Sequence, residues 1–417
     1  MTLTRHSAFS TGRFWITRIA SIAVAIGACF AVQAFSQGHL GDFQQRLVYL
    51  AALYVTLSVS LNLINGITGQ FSLGHAAFYQ IGAYSAGYVS KVYMHDHGHT
   101  PPRLLWLLGM MIVGALFASV AGFVVGLPSL RLRGDYLAIV TLGFGEIVRI
   151  TVLNTDALGG SYALQDIPKI QYVWLVWLLA IITIAVSRNL IKTARGLTFL
   201  AVREDEIASQ AMGVNVTGVK VTAFILGAAF AGAAGAMLAH YEGSILPTMF
   251  TMDVSFIILT MVVLGGTGSI TGSIVSALFL FYLPEYLRGL KTADNHALTV
   301  SGSLVAGSIL SVLVLAGVAK KIVDGHRGTP TTRGFAYLGL VVFGFILAPL
   351  LGRLIGLYKP LGSAQIATDQ LRMVIFAIAL IVIMLLRPQG ILAHHEFSWD
   401  WVAKLFGRKA PEHEVAA

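Results

Sequence analysis

Charge is what this chain has least of. Asp, Glu, Lys and Arg make up 11% of its 417 residues, less than half of the roughly 25% that covers a soluble domain. A soluble enzyme, a disordered chain and a collagen-like fibre are thereby excluded. Cysteine is almost missing: Cys29 stands alone inside the first apolar run, so no intrachain disulfide and no cysteine-based metal site can form. The sequence has no Gly-x-x-x-x-Gly-Lys-Ser/Thr loop to cradle nucleotide phosphates. It also lacks His-Glu-x-x-His and Gly-x-Ser-x-Gly, the usual carriers of a catalytic zinc or serine. Any ATP-driven step must therefore come from a partner, and a membrane enzyme would lack its cluster of catalytic groups.

What the chain does have is apolar. Hydrophobic residues reach 56%, and 44 glycines suit bilayer helices, in which small residues let backbones approach. About 20 mostly apolar residues cross ~30 Å of hydrocarbon. On that scale the sequence predicts spans at 14–35, 47–65, 71–89, 104–127, 136–153, 170–187 and 219–241. The run at 254–287 is too long for one helix and is cut by Gly265, Gly266, Gly268 and Gly272, which predicts a short helix, a break and a full span. Runs at 299–318, 335–356 and 371–386 complete the set. The expectation is an all-α polytopic membrane bundle of about 11 full spans plus one short glycine-broken helix, forming a single transmembrane domain over 1–417. The first run exceeds the apolar core of a signal peptide and reads as a retained span. The net charge of +9 is spread between apolar runs, unlike a nucleic-acid-binding surface. With the N-terminus inside, inner segments hold about twice as many Lys and Arg as outer ones, which places both termini in the cytoplasm.

Several segments depart from plain lipid-facing helix. In the inner loop 189–218, Leu200, Ile207, Ala208, Ala211 and Met212 recur near helical spacing, Glu204, Asp205 and Glu206 lie toward the N-terminal end, and Gly213 suits a left-handed C-terminal cap. That predicts one short amphipathic helix, either a membrane-surface linker or an element that fits a groove on another protein. Asn62, Asn65, Gln70, Ser72, His75 and Gln80, interleaved with Gly69 and Gly74, are too polar for lipid and should face the bundle interior or a wet cavity. Their counterpart is the break at 263–272 with Gly265, Gly266 and Gly268. Paired glycine-interrupted segments point to a translocation path in transporters; the alternative is that these glycines serve helix packing. Glu146 and Arg149 stand three apart inside a span, where ionisable groups pair or line a pathway; a structural ion pair between helices is expected. His95, His97 and His99 alternate in an outer loop and offer either a surface metal site or nothing specific. His240 and Glu242 read as interface markers at the outer end of a span.

Five stretches together resemble the integral-membrane permeases of branched-chain amino acid ABC importers, in particular the M-type subunit. They are 62–83 with Thr-Gly-Gln-Phe-Ser-Leu-Gly-His-Ala-Ala-Phe, 130–148 opening Leu-Arg-Leu-Arg-Gly-Asp-Tyr, the loop 203–215, 261–288 ending Leu-Pro-Glu-Tyr-Leu-Arg, and 371–392 with Leu-Leu-Arg-Pro-Gln-Gly-Ile-Leu. The resemblance implies that Arg203, Glu204, Asp205, Glu206, Ile207, Ala208, Ala211, Met212 and Gly213 form the coupling helix that docks on an ATPase. Glu206, Ala208 and Gly213 match the Glu, Ala and Gly of the importer coupling motif, with one extra residue before the glycine. It further implies a second permease of a different chain, two ATP-binding cassette subunits that bind the ATP and Mg, an extracytoplasmic binding protein, and a place in a bacterial inner membrane. No cofactor, metal or nucleic acid is expected for this chain itself. A departure from the family pattern is the insertion 290–368 with two extra apolar runs. A urea permease of the same family and a gradient-driven transporter of six plus six helices are the alternatives.

Overall fold

The structure, a computed structural model, describes residues 11–97, 103–129, 135–289, 299–301 and 365–367. Its helices are α1 (Thr11–His39), α2 (Asp42–Asn62), α3 (His75–His97), α4 (Arg103–Ser129), α5 (Asp135–Leu153), α6 (Val173–Lys192), α7 (Ala194–Glu204), α8 (Glu206–Ala211), α9 (Val216–Glu242), α10 (Met252–Gly265) and α11 (Ile270–Gly289). The one ribbon among the described residues pairs β1 (Thr299–Ser301) antiparallel with β2 (Gln365–Ala367). The chain divides into two compact units, Met1–Ile258 and Leu259–Ala417.

Six described segments are long and apolar enough to cross a membrane: Asp42–Ile67, Arg103–Leu127, Tyr136–Leu153, Val173–Lys192, Val216–Glu242 and Pro247–Gly265. The chain is thus a multi-pass, all-α membrane protein. The spans expected at 335–356 and 371–386 lie outside the described residues. The one expected at 299–318 does not start at 299, because Thr299–Ser301 is strand. The span expected at 71–89 begins instead at His75; residues 68–74 form a non-helical passage with Gln70, Ser72 and Gly74 buried. α3 also runs on to His97, so His95 and His97 belong to its last turn rather than to a loop, while His99 lies outside the described residues. Among the described residues no cluster of three metal-binding side chains occurs.

The first unit is built around α9. Its run of Gly and Ala leaves little side chain between backbones, and it packs most extensively against α4 and α3. Close approach is literal where three glycines meet: a Cβ on Gly82 would meet the Gly232 backbone, one on Gly232 the Gly114 carbonyl, and one on Gly114 the Gly232 carbonyl. Three helices therefore converge on three glycines. α9 starts with Asn215, whose side chain accepts from the Gly218 amide at 2.9 Å, and stops where Gly243 turns left-handed at φ +74°. Beyond it, 243–245 pairs with the 164–167 connection through Leu164 and Ile245. In the second unit, Gly265 and Gly272 touch backbone to backbone and Ser276 bonds the Met261 carbonyl, joining the end of α10 to α11.

Candidate functional site

α2 does not end cleanly. Its last turn widens into a π turn, Leu63–Ile67, a local defect frequent at functional sites. Thr68 then donates from Oγ1 to the Ile64 carbonyl at 2.7 Å, and Gly69 takes φ +70°, where only glycine sits without strain. The passage is held by reciprocal bonds: Asn65 Nδ2 donates to the Ser72 carbonyl and the Ser72 amide donates to Asn65 Oδ1, each 3.2 Å. The start of α3 is held from outside. The Leu73 amide bonds Thr141 of α5 and the Ala76 amide bonds Ser255 of α10, both at 3.0 Å, satisfying donors that a helix N-terminus leaves free.

His75 lies wholly buried, with Nε2 2.8 Å from Ser60 Oγ. Since Ser60 already donates to the Leu57 carbonyl, it accepts from His75 Nε2–H, and Nδ1 is left as a bare acceptor with no partner. Gln70 Oε1, Ser72 Oγ and both amide atoms of Gln80 are likewise buried and unpartnered. Buried polar groups are nearly always bonded, so this cluster marks the segment where polar capacity is not spent on holding the fold. The sequence-predicted residues Asn65, Gln70, Ser72 and His75 are brought into one passage between two helices. Asn62 is buried at the end of α2, and Gly74 fits against the Thr141 carbonyl, where a Cβ would collide.

Beside the start of α3 a narrow cleft is lined by Leu73, Ala76, Leu142, Glu146, Phe250 and Ser255 among others. The Glu146 carboxylate at its edge is paired with Arg149 at 2.7 Å. The ion pair expected between helices is instead a single-turn pair within α5, because the i,i+3 spacing brings the two side chains together without help from a neighbour. At the other glycine-rich segment, Gly266 and Gly268 take φ +111° and +93°, and Gly265 supplies the close contact with Gly272. Packing and turn geometry account for these three glycines.

The loop expected to hold one amphipathic helix holds two. Asp205 is extended at φ −153° and caps α8, its carboxylate accepting from the Ile207 and Ala208 amides at 2.9 and 3.0 Å. Arg203 and Glu204 thus close α7, Glu206 to Ala211 form α8, Met212 is its C-cap, and Gly213 turns away at φ +83°. The split follows from the capping preference of Asp, which outcompetes helix continuation. Phe199 of α7 is buried against Leu63, Ile67 and Ala223, whereas Ile207 and Met212 are 66% and 84% exposed. α8 therefore offers apolar side chains that the described fold leaves uncovered.

A family model described as branched-chain amino acid transport system / permease component matches residues 45–318. The chain belongs to this permease family. The permease is 36% identical over 291 residues to the high-affinity branched-chain amino acid transport system permease protein LivM of Escherichia coli K12, the match covering 61% of this chain and 65% of that relative. It thus spans less than two thirds of that relative's length. It is 27% identical over 294 residues to the probable branched-chain amino acid transport permease protein LivM of Methanocaldococcus jannaschii, covering 62% and 85% of the two chains. It is 26% identical over 291 residues to the permease protein LivH of Salmonella typhimurium, covering 64% and 91%. No solved structure matches the chain.

Three features of the permease escape sequence reasoning. His240 is not an interface marker but is wholly buried, with Nε2 2.8 Å from Ser90 Oγ and Nδ1 2.7 Å from the Ala236 carbonyl. Trp106 Nε1 donates to the same Ser90 at 3.1 Å. Thr141 and Ser255, which hold the start of α3, sit in unremarkable apolar runs; only distance along the chain hides them. Lys220, one more loop charge by its position, is buried and pairs with Glu206 at 2.8 Å. Glu242, by contrast, does sit at a helix end, paired with Arg46 at 2.9 Å.

Proposed function

We propose that this permease is the membrane subunit of an ABC importer that passes branched-chain or related amino acids into the cytoplasm, powered by separate ATPase subunits. The observation that carries the reading is α8, a capped helix whose Ile207 and Met212 stand exposed beside a helix, α7, that is anchored on the π turn of α2. An exposed apolar ridge on a short helix fits a groove in a partner. The names of the relatives agree in substrate class: each is a branched-chain amino acid transport permease. LivM and LivH are two permease names to which this one chain is similar, which favours pairing with a second, different permease. ATP and Mg would be held by the ATPase partners, cargo would arrive on an extracytoplasmic binding protein, and both termini would face the cytoplasm of a bacterial inner membrane.

In this reading the polar passage 62–75 lies along the route, where the unpartnered Gln70 Oε1, Ser72 Oγ and His75 Nδ1 atoms can exchange bonds with a passing zwitterion. The ATPase-facing set is Arg203 to Gly213. The test is deletion of Ile207 to Met212 in the assembled transporter. The deleted chain should still reach the membrane, but the ATPase subunits should no longer co-purify and ATP-dependent leucine uptake should disappear. Retention of normal uptake by the deletion variant would refute the docking assignment.

A further inference from the structure

Three independent contacts tie the α7–α8 pair to the broken end of α2. Phe199 of α7 packs among Leu63 and Ile67 of the π turn. The Arg203 side chain lies over Gly69, where a Cβ would come within 3.2 Å of Arg203 Cγ, so the left-handed glycine makes room for it. Glu206 opens α8 and holds Lys220 of α9 at 2.8 Å, while the Lys220 carbonyl receives a long, 3.5 Å bond from Gln70 Nε2. Gln70 Nε2 also donates to Thr68 Oγ1 at 3.0 Å, and its own backbone amide reaches the Ile64 carbonyl at 3.1 Å. A short path of packed and bonded groups therefore runs from the exposed helix to the passage carrying Ser72 and His75.

The composition of that path is informative. The Lys220 side chain is 8% exposed and that of Glu206 29%. A buried cation is expensive unless paired, and an apolar residue would fill the same space at lower cost. A π turn is a place where a helix can change register by one residue. We propose that Lys220 is a positioning residue: its bond to Glu206 makes α8, α7 and the π turn Leu63–Ile67 move as one body, so that displacement of α8 is delivered to residues 68–75 rather than absorbed in the loop. This rests on the reading of α8 as the ATPase dock, and the two ideas fail differently.

The experiment uses the assembled transporter in proteoliposomes and compares the unaltered chain with Lys220→Met, Lys220→Arg and Phe199→Ala. Three quantities are read: ATPase subunits retained on purification, ATP hydrolysed, and leucine taken up per ATP. Lys220→Met should retain the ATPase subunits and hydrolysis yet lose about tenfold in leucine per ATP, a factor typical of coupling between sites. Lys220→Arg, which keeps the charge, should restore most of it, and Phe199→Ala, which loosens the apolar contact without touching the ion pair, should show the same dissociation of hydrolysis from uptake. Unchanged leucine per ATP in Lys220→Met would overturn the proposal, whatever Phe199→Ala shows. Loss of the ATPase subunits from Lys220→Met would overturn it too, since the pair would then shape the dock. Should Lys220→Met fail to reach the membrane, Lys220→Gln, which keeps a polar side chain but removes the charge, decides between the same outcomes. Failure of the docking reading itself shows elsewhere, as ATPase subunits that stay bound when Ile207 to Met212 are deleted.

Discussion

Gly82, Gly114 and Gly232 come from three helices and meet with their backbones in contact, so the node has no room for even one methyl group. Gly232→Ala would have to push α4 away from α9, since its Cβ would meet the Gly114 backbone and Ala118. Overpacking of this kind costs roughly 1–3 kcal/mol, and Gly232→Leu more. The expected outcome is a lowered melting temperature of the detergent-solubilised protein, larger for Leu than for Ala, with Gly109→Ala as a neutral control because nothing lies near its Cβ position. The sequence announced abundant small residues but not which ones touch, since that depends on helix rotation. The same holds for His240. Its ring accepts from Ser90 and Ser90 accepts from Trp106, so Ser90→Ala strands the buried His240 ring nitrogen, at roughly 1–3 kcal/mol, together with the half-buried Trp106 N–H. Thermal unfolding should register a larger loss for Ser90→Ala than for Ser85→Ala, whose hydroxyl bonds only a carbonyl in its own helix; equal losses would show that the Trp106–Ser90–His240 chain contributes little.

Among the elements, the broken α2–α3 passage was the most legible, because polar residues and glycines crowd an otherwise apolar stretch and have nowhere to go in lipid. What the pattern concealed was how the break is held. Asn65 bonds both backbone groups of Ser72, seven residues away and with no periodicity to betray it. Asn65→Ala removes both bonds and leaves a buried amide and a buried carbonyl orphaned, again at roughly 1–3 kcal/mol apiece, whereas Asn65→Asp keeps the acceptor. Transport should therefore fall further in Asn65→Ala than in Asn65→Asp, with both proteins present in the membrane at similar levels; the reverse order would mean that the passage is not organised by this side chain. The loop of α7 and α8 was legible as helical and amphipathic, but not as two helices. Asp205 reads equally well as a first-turn acid or as a cap, and only the extended backbone at that residue decides.

For the whole molecule, membrane class and the five spans near 47–65, 104–127, 136–153, 170–187 and 219–241 could be read from apolar run lengths. The run at 254–287, which predicts a short helix followed by a full span, instead has its spanning length in Pro247–Gly265 and a shorter apolar stretch at Ile270–Leu283. Orientation and partners depend on surfaces that only an assembly completes. Cargo class is constrained by what the interior lacks. Among the described residues, Lys220 is the only fully charged side chain in the buried set, and it is already paired with Glu206. The groups left over in the polar passage are neutral: imidazole, hydroxyl and amide. The passage itself thus offers no fixed counter-charge, and the carboxylate on the neighbouring cleft, Glu146, is already paired with Arg149, an arrangement suited to a solute whose own charges cancel. Leucine and urea both satisfy that condition, but they differ in the apolar surface they carry, and the cleft beside α3 is walled by Leu73, Leu142 and Phe250. In membrane vesicles containing the complete transporter, unlabelled leucine, isoleucine and valine should each compete with labelled leucine, while urea, glutamate and lysine at the same concentration should leave uptake unchanged. The chain by itself in nucleotide-free vesicles should accumulate none of them. Competition by urea would move the permease to the urea branch of its family, and accumulation without nucleotide would replace the proposed ATPase-driven import by a gradient-driven carrier.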